Sequence, residues 1–222
     1  MANSIVWEKD MESALKHART QNLPILLFFH NPDWIGCQQM DAVTYPETTV
    51  SNFIMEHVIP LRIASDAQPY ATDFNVVWTP TIITLDAEGN EHHRTTGFFS
   101  PEELIPSIKL GTGKTYFDTG RFEETIDHFD KLLADHPGSG ATPEAMYWRG
   151  VAGYKSTGNP KPLKEAYERL KAEYSNSEWT RRAYPYRLLW FKGRVSYNSA
   201  WLYGCRAGLC ADQRLVLTKP PK

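Results

Sequence analysis

The chain has 222 residues, 41% of them hydrophobic and 13% aromatic, which is apolar mass for one large core or two small ones and argues against disorder. A formal net charge of −2, with Lys and Arg scattered along the chain, gives no basic field, so no nucleic-acid partner is expected. The opening "MANSIVWEKDMESALKHA" lacks the layout of a signal peptide and no apolar run approaches the roughly 18 residues of a membrane span, so no membrane role and a cytoplasmic location are expected.

Trp7, Met11, Ala14, Leu15 and Ala18 recur at helical spacing, and "PILLFF" then reads as a strand buried on both faces. Cys37 to Met55 fits a helix broken near Pro46, and "VIPLRIA" is a second strand. "TPTIITLDAEGNEHHRTTGF" is a hairpin turning at Asp86 to Asn90, and a helix over 102–110 closes the unit. This order predicts an α/β domain over residues 1–110.

From residue 111 the pattern is helical only. Gly113, Tyr116, Gly120, Phe122, Thr125, Phe129 and Pro137 fall at fixed spacings, and Gly150, Tyr154, Gly158, Ala166 and Leu170 form a looser second copy around "GNPKP". Two such hairpins over 111–183 are too few to stand alone and are expected to dock on the first domain, on the tail or on another chain, with a short connection at Leu110 to Gly113. The tail, 184–222, fits neither period. Trp190, Phe191, Trp201 and Tyr203 load it with apolar surface, and a readthrough or frame-altered tail after a natural end near Leu189 is one account of it.

Three cysteines, Cys37, Cys205 and Cys210, are too few for a disulfide framework, which suits a reducing compartment. Cys205-x4-Cys210 has no His or Cys at zinc spacing, so neither a metal nor another cofactor is expected. His30 reads as a satisfied rim or core histidine, and His92 and His93 as exposed strand residues.

Around the first strand the residues carry a resemblance. "PILLFFHNPDWIGCQQM", with Met40 three residues past Cys37 and Thr79-Pro80-Thr81 downstream, resembles a thioredoxin-fold domain, and residues 111–183 resemble tetratricopeptide repeats. The implied fold is a three-layer α/β/α thioredoxin-like domain followed by an all-α helical region. In that family the strand leads to Trp-Cys-x-x-Cys-Lys at a helix start. Laid on without gaps, Asp33 takes the Trp position, Trp34 the first cysteine, Cys37 the second and Gln38 the lysine. The resemblance further implies a cis peptide at Thr79-Pro80 whose edge faces Trp34 and Cys37, with Trp78 alongside.

The first thiol of such a pair attacks as thiolate at a helix N-terminus and the second resolves the mixed disulfide. An indole at Trp34 cannot attack sulfur, Phe28 stands where the family keeps a buried acid, and Asp33 adds a charge that disfavours a thiolate. Trp and Cys codons differ by one base, so an old loss and a recent change are both compatible with Trp34. Two functions follow: a thiol-disulfide oxidoreductase relative keeping at most monothiol chemistry at Cys37, or a non-catalytic adaptor holding a client or partner protein on the thioredoxin face or the tetratricopeptide groove. A third, in which Cys205 or Cys210 supplies a resolving partner for a working reductase, is also open.

Overall fold

An apolar run without alternation must be buried on both faces, and Ile25–His30 (β1) sits inside a four-stranded sheet in the computed structural model, which describes residues 4–189. The expectations for Trp190, Phe191, Trp201, Tyr203, Cys205 and Cys210, and for an altered tail after Leu189, lie outside the described residues. β1 runs parallel to Ile59–Ala64 (β2) and antiparallel to Thr81–Leu85 (β3), which forms a hairpin with Glu91–Thr96 (β4), giving the order β2-β1-β3-β4.

The pleat of β1 divides the core. Ile25, Leu27 and Phe29 pack with Met11, Ala14 and Ala18 of Met11–Gln21 (α1), a helix capped by Asp10, whose carboxylate accepts the Ser13 N–H at 2.7 Å. Leu26 and Phe28 pack on the other face with Cys37, Met40, Val50, Ile54, Leu104 and Ile108. Helices on both faces give the three layers expected of the α/β unit. Trp7, read as part of the first helical pattern, lies outside α1. A bridge between Glu8 and Leu61 carries the chain past the edge of the sheet, and Trp7 packs on Phe28 and Tyr45 in the opposite layer.

The helix expected after the site is three pieces: Ile35–Gln39 (α2), a π-helical turn over Met40–Thr44, and Thr48–His57 (α3) beyond Pro46. The turn, closed by Tyr45 N–H to Met40 O at 2.9 Å, keeps Met40, Thr44 and Tyr45 all facing the core. A four-residue helix, Tyr70–Asp73 (α4), follows β2 and had no periodic signal in the sequence.

Pro101–Asp118 (α5) differs most from expectation. It is one helix of 18 residues with Pro101 in its first turn, and no connection interrupts it at Leu110 to Gly113. Its first half packs Leu104 and Ile108 into the Phe28 layer, and its second half opens the helical region. Phe122–Asp135 (α6), Thr142–Thr157 (α7) and Lys161–Glu173 (α8) follow as antiparallel hairpins, then Glu178–Ala183 (α9) and a 3-10 turn at Tyr184–Leu188. Phe129, Leu132, Met146 and Leu170 build a separate core there, and Tyr186 stacks on Tyr147, so the tail's first residues belong to the helical layer. A methyl group at Gly113 would fall 2.2 Å from the Phe129 ring, which fixes glycine where α5 and α6 cross. The sheet and the helical region group as one unit.

Candidate functional site

Asn31-Pro32-Asp33 turns the chain from β1 to α2, with Asn31 Oδ1 accepting the Asp33 N–H at 2.9 Å and Gln38 Nε2 donating to Pro32 O at 2.9 Å. Trp34 is the N-cap residue of α2. It offers no capping side chain, but its carbonyl accepts the N–H groups of Cys37 at 3.0 Å and Gln38 at 3.1 Å. The indole remains 40% exposed, whereas Cys37, one turn on, is fully buried. The Cys37 sulfur accepts the Asn31 N–H at 3.4 Å.

The Thr79–Pro80 peptide is cis, and Pro80 O accepts the Gly97 N–H at 2.8 Å at the end of β4. Thr81 Oγ1 donates to Trp78 O at 2.7 Å, which pins the loop to β3. The loop lies directly over the start of α2: a methyl at Gly36 would come within 2.9 Å of Pro80 Cδ. Trp34 and Trp78 meet edge to face with ring centroids 4.9 Å apart. Trp34, Cys37, Trp78, Thr79 and Pro80 are therefore gathered at one end of the sheet.

Asn31, Ser65, Val76 and Val77, which the sequence did not single out, line an open groove of about 220 Å³ with Trp34, Trp78 and Thr79. Val77 is 83% exposed, and the N–H groups of Val77 and Trp78 have no hydrogen bond among the described residues. The signal available was the pair of valines in "VVWTPT" just before a buried strand.

Behind Cys37 a second group closes the layer. Arg62, whose backbone pairs with Phe28 across β2 and β1, places its guanidinium 4.4 Å from the Trp7 ring centroid, 5.2 Å from Phe28 and 5.6 Å from Tyr45. Asp41 pairs with it at 2.6 Å. Burial pushes the Tyr45 hydroxyl well above its ordinary value, and burial followed by the nearby Arg62 charge lowers His30. His30 is not the satisfied histidine expected: its Nδ1 is buried without a partner, as are Tyr45 Oη and Arg62 Nε. The ring stacks on Phe28, which supplies no acceptor.

His92 and His93 are not exposed either, because α5 covers β4. His92 bridges Asp86 at 3.1 Å and Asp118 of α5 at 2.9 Å with 9% of its side chain exposed. Desolvation opposes its protonation, but the two carboxylates outweigh it and raise its pKa. His93 lies 3.3 Å from Lys114, and burial, then that charge, lowers it to about 4. Among the described residues no group of three or more His, Cys, Asp and Glu side chains is arranged for a metal, and no helix is long and apolar enough to cross a membrane.

Two protein families match the chain: a thioredoxin-like domain over residues 11–111 and a tetratricopeptide repeat over 109–139. The chain is similar in structure to a thioredoxin from Thermus thermophilus (24% identity, 45% of this chain and 80% of that one, TM-score 0.40). It is also similar to the oxidised C-terminal domain of Neisseria meningitidis DsbD (19% identity, 48% and 99%, TM-score 0.41). A disulphide isomerase from Xylella fastidiosa Temecula1 aligns at 16% identity over 54% of this chain and 98% of its own, with a TM-score of 0.34. A comparison with curated proteins gave no match.

Proposed function

For a chain that joins a thioredoxin-like domain to a tetratricopeptide repeat, we propose a binding role, in which the groove beside Trp34 and Trp78 holds an extended segment of a client protein and no thiol exchange takes place. The observation that carries this reading is the division of labour at the start of α2: the exposed position holds an indole, and the one sulfur is fully buried. Exchange requires a thiolate that reaches a substrate sulfur. Cys37 has neither the exposure for attack nor a cysteine one turn before it.

The groove suits a main chain. Its floor is the loop from Val76 to Thr79, with free N–H groups at Val77 and Trp78, and the two indoles offer flat apolar contact beside them. The monothiol alternative needs Cys37 to become accessible by local opening. Maleimide labelling of native protein, mapped to the peptide carrying Cys37, separates the two: labelling as slow as global unfolding supports the binding role, and labelling within minutes at neutral pH refutes it. Quenching of the exposed indoles by an added peptide reports occupancy of the groove directly.

A further inference from the structure

The cations that are scattered over the chain avoid the stretch that builds the groove. Between Thr20 and His93 there are nine Asp and Glu residues and a single Lys or Arg, Arg62, although the whole chain carries only −2. Arg62 is not free to balance them, being paired with Asp41 and held against three aromatic rings, and Arg94, which follows this stretch and donates to Phe74 O, is itself paired with Glu91 at 2.6 Å. Every side chain lining the groove is uncharged. Asp33 directly precedes Trp34 and Asp66 directly follows Ser65. Both are exposed, and neither carboxylate has a hydrogen bond or ion pair among the described residues.

Resting on the binding role above, we propose that the segment taken by this groove is basic: an extended client strand whose Lys or Arg side chains lie along the Trp34 and Trp78 faces and meet Asp33 and Asp66. An indole face attracts a cation, and the uncompensated carboxylates around it add a field of the same preference. Acidic segments are rejected by the same charges, so the groove discriminates by repulsion as well as attraction. The remainder of the chain holds the compensating cations, so a second copy of the protein is the competing occupant, and the test includes it.

The test uses the full chain and three acetylated, amidated hexapeptides, Lys-Val-Lys-Val-Lys-Val and its counterparts with Gln or Glu in place of Lys, followed by Trp fluorescence. The Lys peptide is expected to bind about five- to twentyfold more tightly than the Gln peptide, with the Glu peptide weakest. The double change Asp33→Asn and Asp66→Asn should bring the Lys and Gln peptides to within about twofold, and so should raising salt to roughly 0.5 M. Equal binding of all three peptides overturns the basic preference while leaving the binding role standing. Binding of none removes both. Concentration-dependent dimerisation by light scattering that is lost in the double variant assigns the groove to a second copy and overturns the client assignment.

Discussion

Trp34→Cys places a thiol where the family pattern has its first cysteine, and the geometry for a disulfide with Cys37 is already present. With a rise of about 1.5 Å per residue and a Cα radius of about 2.3 Å, residues three apart on a helical turn lie about 5 Å apart, within the roughly 4.4–6.8 Å a disulfide spans. Residue 34 belongs to that turn, because its carbonyl accepts the Cys37 and Gln38 N–H groups at 3.0 and 3.1 Å. Closing a four-residue loop is worth about 2 kcal/mol on the chain-entropy account. The variant gives up the edge-to-face contact with Trp78, about 0.5–1.5 kcal/mol. The oxidised variant should therefore fall within about 1 kcal/mol of the parent, and the reduced variant should melt lower than the oxidised one by about 2 kcal/mol. Peptide mapping by mass spectrometry after mild oxidation reads the bond, and dithiothreitol-driven insulin reduction reads the chemistry, which should exceed that of the parent. Activity should be slow, because Phe28 offers no group to accept the Cys37 proton. An oxidised variant whose Cys37 stays free would refute the placement of Trp34 at the first cysteine position.

Gly113→Ala should destabilise the protein by about 2 kcal/mol in urea unfolding, because the fully buried Phe129 ring blocks the new methyl; a gain of about 1 kcal/mol, the helix preference of Ala over Gly, would show that α5 and α6 do not cross so closely. His92 has a folded pKa above its ordinary value, so its contribution is present in full below about pH 6.5 and is lost as pH rises through the folded pKa; the urea midpoint should drop between pH 6 and pH 8.5 in the parent and stay flatter in His92→Gln. Asp86 shifts the other way, burial being outweighed by hydrogen bonds from Asn90 and His92, so its share is present above about pH 3.8 and is lost on acidification through its lowered pKa. Residues 111–183 expressed alone should give no cooperative helical melt in circular dichroism, since they begin inside α5 and lose Leu110, which belongs to the helical core; a sharp melt would show a self-sufficient helical region.

What the sequence made legible was local. The unbroken apolar run of β1, the turn at Asp86 to Asn90 and the break near Pro46 each follow from backbone chemistry within a few residues. What it hid depended on distant partners. The change of pattern after Leu110 suggested a connection there, yet in the fold Gly111 and Gly113 are where α5 lets Thr84 of the sheet and Phe129 of α6 approach, and the helix passes through. His92 and His93 look exposed on a polar strand until α5 is laid across it. The groove is assembled from three separate segments around Asn31, Ser65 and Val77, and only the segment with the Thr79-Pro80 pair carries a pattern that sequence spacing can detect.

The residues of the site make joint physical sense under the proposed binding role. A thiolate pair needs a proton acceptor beneath it, and in a buried layer such an acceptor costs several kcal/mol unless it is compensated. On the binding role proposed for Trp34 no thiolate has to be formed and resolved, so there is no proton to take up, and the residue under Cys37 is free to be apolar. Phe28 fills that place. The cation opposite it, Arg62, then needs another counterpart, and finds one in Asp41 at 2.6 Å together with the faces of Trp7, Phe28 and Tyr45. On the proposed binding role, the indole at position 34, the apolar Phe28 and the ring-caged Arg62 act together. On that reading the layer beneath α2 supports an exposed indole, and a rigid platform favours binding because little side-chain freedom is lost when a client strand arrives.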